Sequence, residues 1–194
     1  MSSAIRRGIT GLVVLGAALA GAIFWSTRAS RTNDTTHDFT LTDQNGQRFD
    51  VASQRGKVVL VFFGYSQCPD VCPITLSKLS SVARRLGDQR TEMVVLYVTV
   101  DPERDTPEAL KADLSNFTLN AVGLTGTREE IDRVVKLYGA RYAIVPTPQS
   151  AGKYSVSHST TLYVLDQRGR LSTEFPYEAT ADEITDAVRA RLKQ

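Results

Sequence analysis

Two continuous β-branched and aromatic runs constrain this chain more than any other feature: Lys57–Phe63 (KVVLVFF) and Met93–Val100 (MVVLYVTV). Unbroken runs of this kind suit central strands buried on both faces. Between them Leu76, Leu79, Val82, Ala83 and Leu86 recur at helical spacing and stop at Gly87, so a helix bridges the strands. Strand, helix and strand make a βαβ unit, with parallel strands and a right-handed crossover.

The remaining elements fall around that unit. Phe39–Thr42 and Gln47–Asp50 flank Asn45-Gly46, whose ease in reaching positive φ predicts a hairpin. Thr106 caps a helix that Pro107 opens and that runs to about Phe117. Asn120–Leu124 predicts a short strand, and Thr127–Tyr138 a helix with Ile131, Val134, Val135 and Tyr138 on one face and Gly139 as its stop. Residues 140–157, with Pro146, Pro148 and Gly152, read as an extended excursion. Thr160–Leu165 and Leu171–Phe175 flank a turn around Gly169, and a last helix spans Ala181–Leu192. This order predicts an α/β class: a thioredoxin-like fold with an extra N-terminal β-hairpin and a β-hairpin near the C-terminus.

Ahead of the domain, Arg6 and Arg7 precede an uncharged, apolar stretch from Gly8 to Trp25. It outruns the ~7–15 residues of a signal-peptide core and approaches the ~17–25 needed to cross a bilayer. Ala18-Leu19-Ala20 offers a cleavage pattern, but Ile23, Phe24 and Trp25 extend the run past it. The expectation is one transmembrane helix within an uncleaved anchor, residues 1–25. A polar linker over 26–36 and a folded domain over 37–194 follow. The basic flank keeps the N-terminus in the cytoplasm and puts the domain on the exported side, the periplasmic face of the inner membrane in a bacterium.

Arg6, Arg7, Arg28 and Arg31 are the only charged residues up to position 31. Set against 23 basic and 21 acidic residues in the whole chain, they leave 19 basic residues and a net charge of −2 for positions 32–194. The whole-chain value of +2 therefore describes the anchor, and a nucleic-acid partner is not expected of a domain without a basic excess.

Chemistry concentrates in Gly64-Tyr-Ser-Gln-Cys68-Pro-Asp-Val-Cys72-Pro73, where the first central strand gives way to the helix. Ligands of open α/β sheets sit at such strand ends. Pro73 disfavours helical geometry in Cys72, so Cys72 is expected at or just before the helix N-terminus, where the dipole lowers a thiol's pKa. Cys68 then lies on the loop winding into that turn. Asp70, between them, reads as a solvated loop acid with a possible role in tuning the site or meeting a partner. The chain's only histidines are His37 and His158. His37, at the linker boundary, is too flexible there for a fixed ligand, whereas His158 stands in a loop just before Thr160–Leu165. Two thiolates with an imidazole suit copper(I) or copper(II). A four-ligand zinc site would need His37 or a carboxylate as well, and a plain Cys68–Cys72 disulfide is a third reading.

The stretches GYSQCPDVCP, VDPERDTPEAL and HSTTLYVLDQRGRL together resemble the SCO/SenC family of copper proteins, over most of residues 38–192. The resemblance implies a thioredoxin fold and a single N-terminal anchor. It also implies one copper ion per chain held by Cys68, Cys72 and His158, and delivery to the copper-binding subunit of cytochrome c oxidase, for its dinuclear copper centre. Many members carry Asp immediately before that histidine; this chain has Ser157, a departure that touches the surroundings of the ligand rather than the ligand set. The DPERDTP loop is read as capping and turn structure at the edge of the site.

Two further functions use the same residues. A thiol–disulfide oxidoreductase reducing the copper-ligand cysteines of an oxidase subunit would need only Cys68 and Cys72, as a redox-active catalytic pair. Dedicated enzymes of that kind use Cys-x-x-Cys, and the wider spacing here argues for metal. A peroxidase of the peroxiredoxin type is disfavoured, since Val61 and Tyr65 replace the Pro and Thr/Ser that such a motif places before its cysteine. The chain is thus expected to be mainly a metallochaperone, with enzymatic activity left open.

Overall fold

The computed structural model describes residues 35–147 and 154–193. The expected anchor over residues 1–25 and almost all of the expected linker lie outside the described residues. Among those described, no helix is long and apolar enough to cross a membrane.

Strands β1 (Thr40–Asp43) and β2 (Arg48–Asp50) form the N-terminal hairpin. Its turn depends on Gly46 at φ 75° and on the Asp43 carboxylate, which accepts from the amides of Asn45 at 2.8 Å and Gln47 at 2.9 Å. The central unit follows as β3 (Val58–Gly64), α1 (Val71–Leu86) and β4 (Met93–Thr99). β3 and β4 are parallel and in register, with Phe62 opposite Tyr97 and Gly64 opposite Thr99. After α2 (Pro107–Leu114), β5 (Ala121–Thr125) and α3 (Arg128–Leu137), the chain makes β6 (Tyr142–Pro146) and β7 (Tyr154–His158). It closes with β8 (Leu162–Leu165), β9 (Leu171–Phe175) and α4 (Ala181–Leu192).

Seven strands form one mixed sheet in the order β2-β1-β5-β4-β3-β8-β9, and β6 with β7 makes a separate two-stranded ribbon. The unbroken apolar runs are explained by two-sided burial. Val59, Val61 and Phe63 of β3, with Val94, Leu96 and Val98 of β4, pack against Ile131, Val134 and Val135 of α3. The alternate residues Val58, Leu60, Phe62, Met93, Val95 and Tyr97 pack against Leu76, Leu79 and Val82 of α1 and Ile184 and Val188 of α4. Each such aliphatic side chain contributes roughly 1.5–3 kcal/mol on burial. Thr127 and Thr180 each close a capping box, with Glu130 and Glu183, at the heads of α3 and α4. The result is the expected α/β, thioredoxin-like arrangement, a central β3–α1–β4 unit flanked by helices on both faces of the sheet.

Four local expectations need correction. α1 starts at Val71, ahead of Cys72 and Pro73: a proline in the first helical turn gives up an N–H that has no partner there, so it does not delay the helix. α2 stops at Leu114 rather than near Phe117, because the side chains of Ser115 and Asn116 donate back to the carbonyls of Ala112 and Asp113. Much of the excursion over 140–157 is the β6–β7 ribbon, whose backbone bonds are satisfied in register from Tyr142 opposite His158 to Pro146 opposite Tyr154. His158 is accordingly the last residue of a strand rather than part of a loop before one, and β8 begins at Leu162.

Candidate metal centre

The donor atoms of Cys68, Cys72 and His158 all lie within 4.8 Å of one another. Each comes from a different piece of structure. Cys68 is on the loop that leaves β3, where its amide donates to the Tyr65 carbonyl at 3.1 Å. Cys72 is in the first turn of α1, and His158 ends the detached ribbon. No disulfide joins the cysteines.

Their environments differ, and so does their acidity. Cys72 is 2 % exposed, whereas Cys68 is half-buried. The Cys72 S–H donates to the Cys68 sulfur, hydrogen bonding with the His158 ring and then the backbone N–H groups of Asp70 and Cys72 at the open helix end add to it, and against the opposing effect of burial they hold the Cys68 thiol down to about 3. Donation to the neighbouring sulfur, burial and the Cys68 charge push Cys72 far up. This reverses the expectation that the helix dipole favours Cys72. A residue within the first turn turns its side chain into the core, while the free amides face the loop residue before it.

His158 is oriented by a simple rule. A carbonyl oxygen only accepts, and the Ser159 carbonyl lies 3.0 Å from Nδ1, so Nδ1 carries a hydrogen and, in the neutral ring a metal would bind, Nε2 presents its lone pair. Nε2 stands 3.5 Å from Cys72 Sγ. Tyr65 and Phe62 meet the ring edge-on, with centroids at 5.8 and 6.2 Å. Two sulfurs and an imidazole lone pair converging at this spacing are a soft donor set suited to copper.

The DPERDTP loop after β4 contributes more than caps. Asp105, with no exposed surface, accepts from the Ser66 amide at 3.0 Å, the Ser66 hydroxyl at 2.5 Å and the Thr99 hydroxyl at 2.6 Å. It thereby fixes the cysteine loop two residues before Cys68. Asp101, equally buried, binds the Arg104 guanidinium and accepts from the Tyr154 hydroxyl at 2.8 Å. Arg104 lies 3.9 Å from the Tyr154 ring centroid and 5.6 Å from that of Tyr65. One loop thus braces both the cysteine arm and the ribbon that ends in His158. Sequence reasoning missed Asp101, Arg104 and Asp105; the signal was four charged residues within positions 101–105, immediately behind a strand buried on both faces.

His37 is not among the convergent donors, yet it is held rather than loose. Its amide donates to the Gly169 carbonyl at 2.9 Å, its carbonyl accepts from the Tyr138 hydroxyl at 3.0 Å, and its ring packs on Tyr138. Asp70 occupies the N-cap position of α1, exposed and without a side-chain capping bond. Ser157, the departure from the family pattern, is exposed on β7 opposite Ala143.

Comparison with known proteins agrees with this geometry. The model of the SCO1/SenC family matches residues 27–193. A SCO2-like protein of Rickettsia prowazekii is 35% identical over 148 residues, which cover 76% of this chain and 72% of that protein. The copper-bound structure of ScoI from Bradyrhizobium japonicum is 38% identical and superposes with a TM-score of 0.74 over 81% of this chain and 99% of its own. BsSco, described with a disulfide switch and as a member of the Sco family of cytochrome c oxidase assembly proteins, is 26% identical at a TM-score of 0.63 over 80% of this chain and 92% of its own. With a family model covering nearly every residue beyond the N-terminal stretch, and with the motif cysteines and distant histidine gathered at one end of the sheet, the chain belongs to the SCO1/SenC family.

Proposed function

We propose that this protein is a copper chaperone, carrying one copper ion on Cys68, Cys72 and His158 and passing it to the copper-binding subunit of a cytochrome c oxidase. The observation that carries the reading is the convergence of those three donors within 4.8 Å in a chain whose relative ScoI has been seen with copper bound. The oxidase as recipient is supported by the description of BsSco's family as oxidase assembly proteins. The apolar N-terminal stretch supports a membrane tether with the domain on the exported side. Transfer would proceed by exchange of ligands, the half-buried Cys68 and the terminal His158 being the donors that an acceptor's own thiolates reach first.

The thiol–disulfide alternative has one observation in its favour: an accessible thiolate at Cys68 next to a protonated, buried Cys72 is a nucleophile with a resolving partner. It leaves the inward-facing imidazole of His158 without a task. Copper titration of the reduced 194-residue protein separates the two. Under the chaperone reading the chain takes up one equivalent, and Cys68→Ser, Cys72→Ser and His158→Ala each weaken uptake at least tenfold. Undiminished copper binding by His158→Ala, with disulfide reductase activity lost only in the cysteine variants, would overturn it.

A further inference from the structure

Gly64, the last residue of β3, is the floor beneath Cys72. A Cβ added there would lie 2.8 Å from Cys72 Sγ, 2.8 Å from Tyr97 Oη and 2.6 Å from Tyr97 Cε2. The sulfur and the phenol therefore close on one point, from α1 and from β4 respectively. The register explains how. Phe62 pairs with Tyr97, and the two rings stack on the α1 side of the sheet at 6.1 Å. Residue 64 occupies the same face two positions on, and because it is glycine the Tyr97 phenol extends across the space a side chain would fill. Tyr97 has no exposed surface, and its Oη is a buried polar atom without a hydrogen-bond partner. A buried hydroxyl in that condition has lost its water without gaining a partner, a cost without purpose unless an acceptor is completed beside it.

Resting on the copper reading above, we propose that Tyr97 is a positioning residue for the metal centre, its phenol O–H donating to Cys72 Sγ when that sulfur binds copper. A thiol sulfur is a poor acceptor and a thiolate a good one, so the bond forms fully when Cys72 gives up its proton to become a ligand. Donation to the sulfur draws electron density from it and weakens its bond to copper(II) more than to copper(I), the lever by which hydrogen bonds around a cysteine sulfur tune copper potentials. Tyr97 thereby raises the copper(II)/copper(I) potential of the site. Gly64 is required because any larger residue would part phenol from sulfur.

The test compares the full-length protein with Tyr97→Phe, which keeps the stacked ring and removes only the hydroxyl. Both are expected to bind one copper with the same unfolding temperature in the metal-free state to within a few degrees. In the variant the sulfur-to-copper(II) charge-transfer band moves to longer wavelength and the copper potential falls. Gly64→Ala, with the phenol retained but displaced, moves both readouts in the same direction. Copper-loaded Tyr97→Phe with the wild-type band and potential would overturn the proposal and leave the copper reading standing. A wild-type chain that took up no copper would instead sink the copper reading. The proposal, which concerns the copper-bound sulfur, would fall with it.

Discussion

At the scale of single residues, the two cysteines four positions apart are chemically unlike. Cys68 has its thiol held down to about 3 by the Cys72 S–H, then by hydrogen bonding with the His158 ring and by two helix-end amides. A free cysteine loses thiolate tenfold per pH unit below about 8.5. Alkylation of the metal-free protein at Cys68 should instead stay near its plateau from neutral pH through pH 5 and decline only as pH approaches 3, with Cys72 unmodified throughout. Mass spectrometry of iodoacetamide-treated protein over pH 3–8 checks this. Asp113 shifts the other way: burial, and after it the charges of Asp105 and Cys68, push its carboxyl to about 6. The unfolded chain releases that proton near 3.8 and the folded one near 6, so the carboxyl weakens the fold as pH rises through this interval, and the penalty is full above it. Asp113→Asn should therefore be more stable than wild type at pH 7, by about 1–2 kcal/mol once solvent screening of a half-buried group is allowed for. The gain should vanish below pH 4 in urea unfolding.

At the scale of elements, the ribbon of β6 and β7 depends on side chains more than on the sheet. Removing the Tyr154 hydroxyl, which donates to the buried Asp101, should cost about 1–2 kcal/mol and loosen the ribbon locally. In Tyr154→Phe, hydrogen exchange should speed up in β7 and leave β3 and β4 unchanged. Legibility in the sequence follows the same division. β3, β4, β9 and α4 were readable because two-sided or periodic burial writes itself into residue type. The ribbon was not, because β6 is largely exposed, with Ile144 and Val145 both open to solvent, and so lacks the alternation that marks a strand. The cysteines and His158 were legible as chemistry, but which sulfur carries the charge was not: that depends on which way the amides at the head of α1 point. Tyr97 was hidden inside its own strand, indistinguishable from its buried neighbours until Gly64 showed where its hydroxyl ends.

At the scale of the whole molecule, two apolar layers share one sheet, since neighbouring residues of β3 and β4 serve opposite faces. Neither layer can come apart while the other stays packed. Far-ultraviolet and tyrosine circular dichroism, reporting the sheet and the ring clusters, should therefore give a single coincident thermal transition for this unit. Two resolved transitions would contradict the shared-sheet account.

The detachment of β6 and β7 from the seven-stranded sheet has a consequence for the cargo. Two of the three proposed donors, Cys68 and Cys72, are rooted beside the central strands, and the third, His158, ends a ribbon that shares no ladder with them. Side chains alone tie that ribbon down: the polar contacts around Asp101 and Arg104, the Tyr142 hydroxyl between Arg128 and Asp132, and Val156 buried in the core, with no ladder of the seven-stranded sheet among them. A recipient that drew His158 aside would disturb those side-chain contacts and leave every ladder of the seven-stranded sheet closed.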